Sequence, residues 1–197
     1  HFSDKDLQEN FIPKKKYPFE LFIHCPDYWY RSMKDLGSLN EEERKFSVRV
    51  AQTTINKARE LAPYFKGTPK IVIHVGGMSR DKYTGDPKLL LEQAKKSFKE
   101  LDSKGVILLP ENLPPRAWYF SGQWFNNVFL DADEMINFCK DLNLRMCLDL
   151  AHAFLYCNSA GKDYYKYLEK VAPFVDHLHV ADAAGISYEA LWVGDGG

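Results

Sequence analysis

Five short apolar runs, separated by longer segments with helical periodicity, constrain this chain more than any other feature. They are FELFIHCP (19–26), KIVIHVGG (70–77), GVILLPEN (105–112), LRMCLDL (144–150) and VDHLHVAD (175–182). Between the first two, Asn40 stands where an N-cap belongs, with Glu43 three residues on, and Phe46, Val50, Ile55, Ala58, Leu61 and Ala62 follow as an approximate helical stripe closed by Gly67. Asp86-Pro87 opens a second helix carrying Leu90, Ala94, Phe98 and Leu101. Asp131 caps a third with Met135, Ile136, Cys139 and Leu142, and a fourth runs from Lys162 to Val171 before Pro173 stops it. Strand followed by helix, repeated, means βα units and a parallel sheet. A doubly wound sheet and a (β/α)8 barrel both satisfy that order. HVGGM lacks the GxGxxG spacing of a dinucleotide fold, so the barrel is the expected architecture.

The polar residues sharpen this. The first run ends at His24, the second at His74, the third at Glu111 and the fourth at Asp149, while the fifth carries His179. In a barrel the C-terminal ends of several strands together build the active site. Alternation along a strand puts Leu21 and Ile23 toward the helices if His24 points inward, and Leu178 and Val180 likewise if His179 does. Each residue alone has an ordinary explanation, as a satisfied core histidine or a turn-capping carboxylate. Five in succession point to a cation, because three imidazoles and two carboxylates buried together without one need extensive pairing. Mn²⁺, Mg²⁺ and Zn²⁺ all accept this donor mixture. His152 follows Asp149 by three positions, where a loop is expected, and joins the candidate set.

Composition removes several alternatives. The 26 basic and 27 acidic residues nearly cancel, which argues against a dedicated nucleic-acid binder. The only basic run, PKKKYP (13–18), reads as solvated loop. Cys25, Cys139, Cys147 and Cys157 form no CxxC pair and read as reduced core thiols, consistent with a cytoplasmic protein. No apolar run reaches membrane-spanning length, and the polar HFSDKDLQEN start is no signal peptide. The chain opens on His1 without an initiator Met, as if cut from something larger.

FIHCPDYW, IVIHVGG, LLPEN, LDLAHAF and HLHVADA occur in the order found in the xylose isomerase-like barrel superfamily, which this chain resembles over nearly its whole length. That superfamily holds sugar and sugar-phosphate isomerases and epimerases, together with the endonuclease IV branch. HLHVADAAG followed by WVGDG further resembles the isomerase-like domain fused to bacterial sialic acid synthases. The resemblance implies that Glu111, Asp149 and His179 are three of four metal ligands, that His152 contacts substrate or metal, and that His24 and His74 are additional ligands of the endonuclease branch. It places the fourth ligand, a glutamate on the last strand, beyond Gly197, and makes HFSD the end of the first strand. Residues 1–197 are then one barrel domain, incomplete and cut from a longer chain, expected on its own to bind metal weakly and to lack isomerase activity.

The implied function is a divalent-metal-dependent isomerase or epimerase of a sugar or sugar phosphate, with Glu111 as ligand and base and His152 at the substrate. A non-catalytic barrel that binds a sugar or supports a fused synthase is the alternative. A DNA phosphodiesterase ranks third, because the Asp-x-His motif that holds that branch's third zinc has no counterpart in AAGISYEALWVGDGG, which contains no histidine. RAWYFSGQWFNNVF (116–129) is read as an aromatic loop over the barrel end, with Trp118 and Trp124 able to stack on a sugar and Asp182 placed to bind it. The same loop would serve equally as a packed lid.

Overall fold

A computed structural model describes residues 11–196. The HFSD segment assigned to a first strand lies outside the described residues. Five parallel strands form one sheet whose spatial order follows the sequence: β1 (Glu20–His24), β2 (Lys66–His74), β3 (Ile107–Glu111), β4 (Met146–Asp149) and β5 (Val175–His179). The helices between them are α1 (Glu41–Leu61), α2 (Pro87–Glu100), α3 (Ala132–Leu142), α4 (Leu150–Ala160) and α5 (Tyr164–Val171). This is a curled, barrel-like half, not an open doubly wound sheet. The edge strands come together across the interior, where Phe22 of β1 stacks on His177 of β5 with ring centroids 4.2 Å apart.

Alternation divides the sheet's two faces. Ile23, Ile71, Ile73, Leu108, Met146 and Leu148 point outward and join Ile55, Phe98, Met135 and Phe138 of the helices in the main core. Val72, Leu109 and Cys147 point inward and make a small apolar floor, with His74, Glu111 and Asp149 two positions further along their strands. Leu21 and Ile23 face the helices as expected. Leu178 and Val180 do not gain that cover: they are 48% and 62% exposed, since a short hairpin rather than a helix follows β5 among the described residues.

The helix starts follow local chemistry. The Asn40 side chain accepts from the Glu42 and Glu43 amides, and Asp86, Asp131 and Asp163 cap their helices in the same manner. The expected reciprocal box at Glu43 becomes a relay. Glu43 accepts from Ser38 Oγ, which in turn accepts from the Asn40 amide. Arg44, fully buried, pairs with Glu41 of its own helix and joins α1 to α2 through Glu100, both at 2.8 Å, and through Ser97 Oγ, to which it donates at 3.0 Å. Arg44→Ala is expected to cost about 2–4 kcal/mol, from the lost packing of its stem and the loss of its bonds to Ser97, Glu41 and Glu100. Urea unfolding of the variant checks this, and a change inside experimental error would refute it.

Two departures from the sequence expectation bear on the site. His152 sits in the first turn of α4, not in a loop, because Asp149 is both the last residue of β4 and the N-cap that accepts from the His152 amide. Residues 116–126 are a β-hairpin, Arg116–Tyr119 paired with Gly122–Asn126, rather than a loop. No helix among the described residues is long and apolar enough to cross a membrane.

Candidate metal centre

The twin glycines after β2 set the geometry of the sheet's C-terminal end. Gly76 and Gly77 have φ of 89° and 77°, and a Cβ on Gly76 would lie 2.3 Å from Asp35 Oδ1. This close approach lets Asp35 accept from the amides of Gly37, Gly77 and Met78, tying the β1–α1 connection to the exit of β2. The glycines serve packing at the site's margin.

At the centre is Glu111, 1% exposed. One of its oxygens faces His24 Nε2 at 3.0 Å and His74 Nε2 at 3.1 Å, and the other faces His179 Nδ1 at 2.6 Å. His74 Nδ1 in turn lies 2.6 Å from Asp27 Oδ1, and Tyr119 donates its hydroxyl to Asp27 Oδ2 at 3.2 Å. Asp149 faces His179 at 3.9 Å. His152 Nδ1 sits 2.9 Å from the Asn112 carbonyl, and its Nε2 is 3.2 Å from Glu189 Oε2. Asn112 itself is fixed by β4, accepting from the Asp149 amide and donating to the Asp149 carbonyl.

Burial and these contacts set the charges. Burial disfavours ionisation of Glu111, yet the three imidazoles overcome it and hold the carboxyl well below its ordinary range. Burial also works against a charged His74, but Asp27 and Glu111 push its pKa up to about 10. Desolvation lowers His24 despite its Glu111 contact. His179 is raised chiefly by its bond to Glu111, and His152 is raised because Glu189 and Asp149 outweigh burial. Desolvation, with Glu111 nearby, raises Asp149. A cation would relieve the crowding of these carboxylates.

The donors are spaced for one. Glu111, Asp149 and His179 offer ligand atoms within 4.8 Å of one another, as do His24, His74 and Glu111. Glu111 belongs to both triads. Two carboxylates with an imidazole, and two imidazoles with a carboxylate, fit a divalent ion of the Zn²⁺, Mn²⁺ or Mg²⁺ class. The Asp27–His74 pair supplies the outer carboxylate that commonly orients a ligating histidine.

All five strand-end residues and His152 line one cavity of about 240 Å³. Trp118, Trp124 and Asp182 are not among its walls. Trp118 is 63% exposed on the hairpin. Trp124 lies under Arg80 at 5.0 Å, in a separate hollow of about 440 Å³ that holds none of the converging imidazoles. Asp182 accepts from the amides of Ala183, Gly194 and Gly196, which makes it the staple of the terminal hairpin. The residues missed by sequence reasoning are Asp27, Tyr119 and Glu189. Asp27 carried a signal, standing directly after HCP at a strand exit. Nothing local distinguishes Tyr119 or Glu189.

The fold has counterparts among known proteins. Probable endonuclease 4 of Aquifex aeolicus (strain VF5) is 27% identical over 158 residues, which cover 78% of this chain and 49% of that protein. Among solved structures, a xylose isomerase domain protein from Planctomyces limnophilus superposes with a TM-score of 0.57 at 18% identity, over 90% of this chain and 62% of its own. An L-ribulose 3-epimerase gives 0.56 at 15% identity, over 76% and 47%. Endonuclease IV from Thermus thermophilus gives 0.55 at 22%, over 84% and 54%. At these identities the structural likenesses speak to fold alone. This chain spans about half the length of the curated relative it matches. The family described as xylose isomerase-like TIM barrel matches residues 13–196, and the chain belongs to that family.

Proposed function

We propose that the protein is a divalent-metal-dependent isomerase or epimerase of a sugar or sugar phosphate. The observation that carries this reading is the small cavity of about 240 Å³ in which Glu111, Asp149 and His179 converge beside His152. Its volume falls below the range usual for drug-sized ligands and suits a monosaccharide. A divalent cation held by Glu111, Asp149 and His179 supplies Lewis-acid stabilisation of charge on a carbonyl and its neighbouring hydroxyl.

The residues divide the remaining work. Glu111, pinned by three imidazoles and held ionised, is better suited to ligation than to proton transfer. His152 Nε2, beside Glu189, is the atom that gives or takes the proton at the substrate carbon. Tyr119 and Ala117 wall the cavity from the hairpin.

The finer resemblance to the domain of sialic acid synthases, and with it fusion to a synthase, remains part of this proposal and rests on HLHVADAAG and WVGDG. A second reading, a phosphodiesterase acting on DNA, is favoured by the two triads sharing Glu111 and by the Aquifex relative. One experiment separates them. The protein is incubated with Mn²⁺, Mg²⁺ or Zn²⁺ in D2O with a panel of ketoses, aldoses and their phosphates, and deuterium at the carbon next to the carbonyl is followed by NMR. Metal-dependent exchange that disappears in His152→Ala is the expected result. Metal-dependent cleavage of an abasic oligonucleotide without exchange on any sugar would favour the nuclease instead.

A further inference from the structure

The inner face of the sheet carries more ligand chemistry than the carboxylate centre uses. Register pairs His74 with Glu111, Glu111 with Cys147, and Cys147 with His177, so β2 to β5 present His-Glu-Cys-His as one cross-strand row. The next pair up is Asp149 with His179. Cys147 is fully buried. His177 is held from the other side by Phe22, at 4.2 Å, and its ring meets His179 edge-on at 5.3 Å. One thiol and two imidazoles therefore offer ligand atoms that all lie within 4.8 Å of one another. A tetrahedral zinc site needs ligand atoms about 3.3–3.8 Å apart, given metal–sulfur and metal–nitrogen bonds of about 2.3 and 2.0–2.1 Å. A contraction of about 1 Å is within reach of side-chain rotation.

We infer that Cys147, His177 and His179 form a second metal site that takes a thiophilic ion of the Zn²⁺ or Cd²⁺ class. It lies one strand step below the carboxylate centre. Softness sorts the two sites. Thiolate with imidazole selects zinc-like ions, whereas Glu111 and Asp149 also accept Mg²⁺ and Mn²⁺. His179 belongs to both triads, so an ion in the lower site withdraws a ligand from the upper one. The inference stands on this geometry and does not depend on the sugar chemistry proposed above.

Cobalt tests it. The protein titrated with Co²⁺ should develop the near-ultraviolet charge-transfer band of a cobalt–thiolate bond. Cys147→Ser and His177→Ala should each lose the band, with far-UV circular dichroism showing that the fold is intact, while Asp149→Asn should keep it. Cd²⁺ should bleach the band at equimolar amounts and Mg²⁺ should leave it unchanged in large excess. The other three cysteines join no ligand cluster among the described residues, so the band has one source. No band in the parent protein, or a band that survives Cys147→Ser, overturns the site. Should Cys147→Ser fail to fold, His177→Ala decides alone: its band must be lost, and a retained band overturns the site.

Discussion

Replacing Glu111 with glutamine is expected to weaken Mn²⁺ binding by at least about 100-fold and to destabilise the metal-free protein at the same time. The two effects have one origin. Glu111 is the residue common to both donor triads, so its loss removes an anionic ligand from each. Loss of an outer-shell partner already costs about 10- to 100-fold in affinity, and a shared direct ligand should exceed that. In the absence of metal, the same carboxylate compensates His74 and His179, both raised toward the charged form. A neutral amide removes that counter-charge from both imidazoles and leaves His74 with Asp27 alone. Breaking one side of a buried ionic cluster costs about 3–5 kcal/mol. Calorimetric titration with Mn²⁺, together with urea unfolding, measures both quantities. Parent-like affinity in Glu111→Gln would remove Glu111 from the centre of the site.

How much of this was legible beforehand differs between elements for physical reasons. The five sheet strands were readable because each is a short apolar run ending in a residue that belongs at a barrel mouth. His24, His74, Glu111, Asp149 and His179 accordingly meet in one cavity. Helix α4 was not readable: LAHAFLYCNSA is apolar on nearly all sides and has no stripe to reveal its period, and it begins without a loop because Asp149 serves strand and cap at once. The 116–126 hairpin was hidden by its turn. Phe120 and Ser121 both take positive φ, of 50° and 59°, where Asn-Gly or Asp-Gly would have announced the turn. Cys147 reads as a core thiol and nothing in the sequence singles out His177; they became a cluster only once the register of β4 and β5 was known. Glu189 reaches His152 from a hairpin that Asp182 holds closed, a long-range placement that no spacing encodes.

The charge state of this cluster leads to a strong pH dependence. In the metal-free protein His74 titrates near 10 rather than its ordinary 6.5, and His179 is shifted in the same direction. His74 is therefore protonated at neutral pH, and a cation that takes its Nε2 must displace a proton. Each proton displaced makes affinity rise about tenfold per pH unit below the group's pKa. Mn²⁺ affinity should thus climb with a slope of about one decade per unit between about pH 6 and 8. Stability without metal runs the other way. A histidine raised on folding contributes fully below 6.5 and loses that contribution as pH climbs through about 10. Glu111, depressed on folding, contributes above its ordinary 4.5 and loses its share as pH falls through its lowered value. The metal-free protein is then best stabilised by this cluster between those two ordinary values. The rise in Tm on adding metal should be small near pH 5.5 and large near pH 8. A metal-induced shift independent of pH, or largest in acid, would show that the imidazoles bind no cation in exchange for their protons.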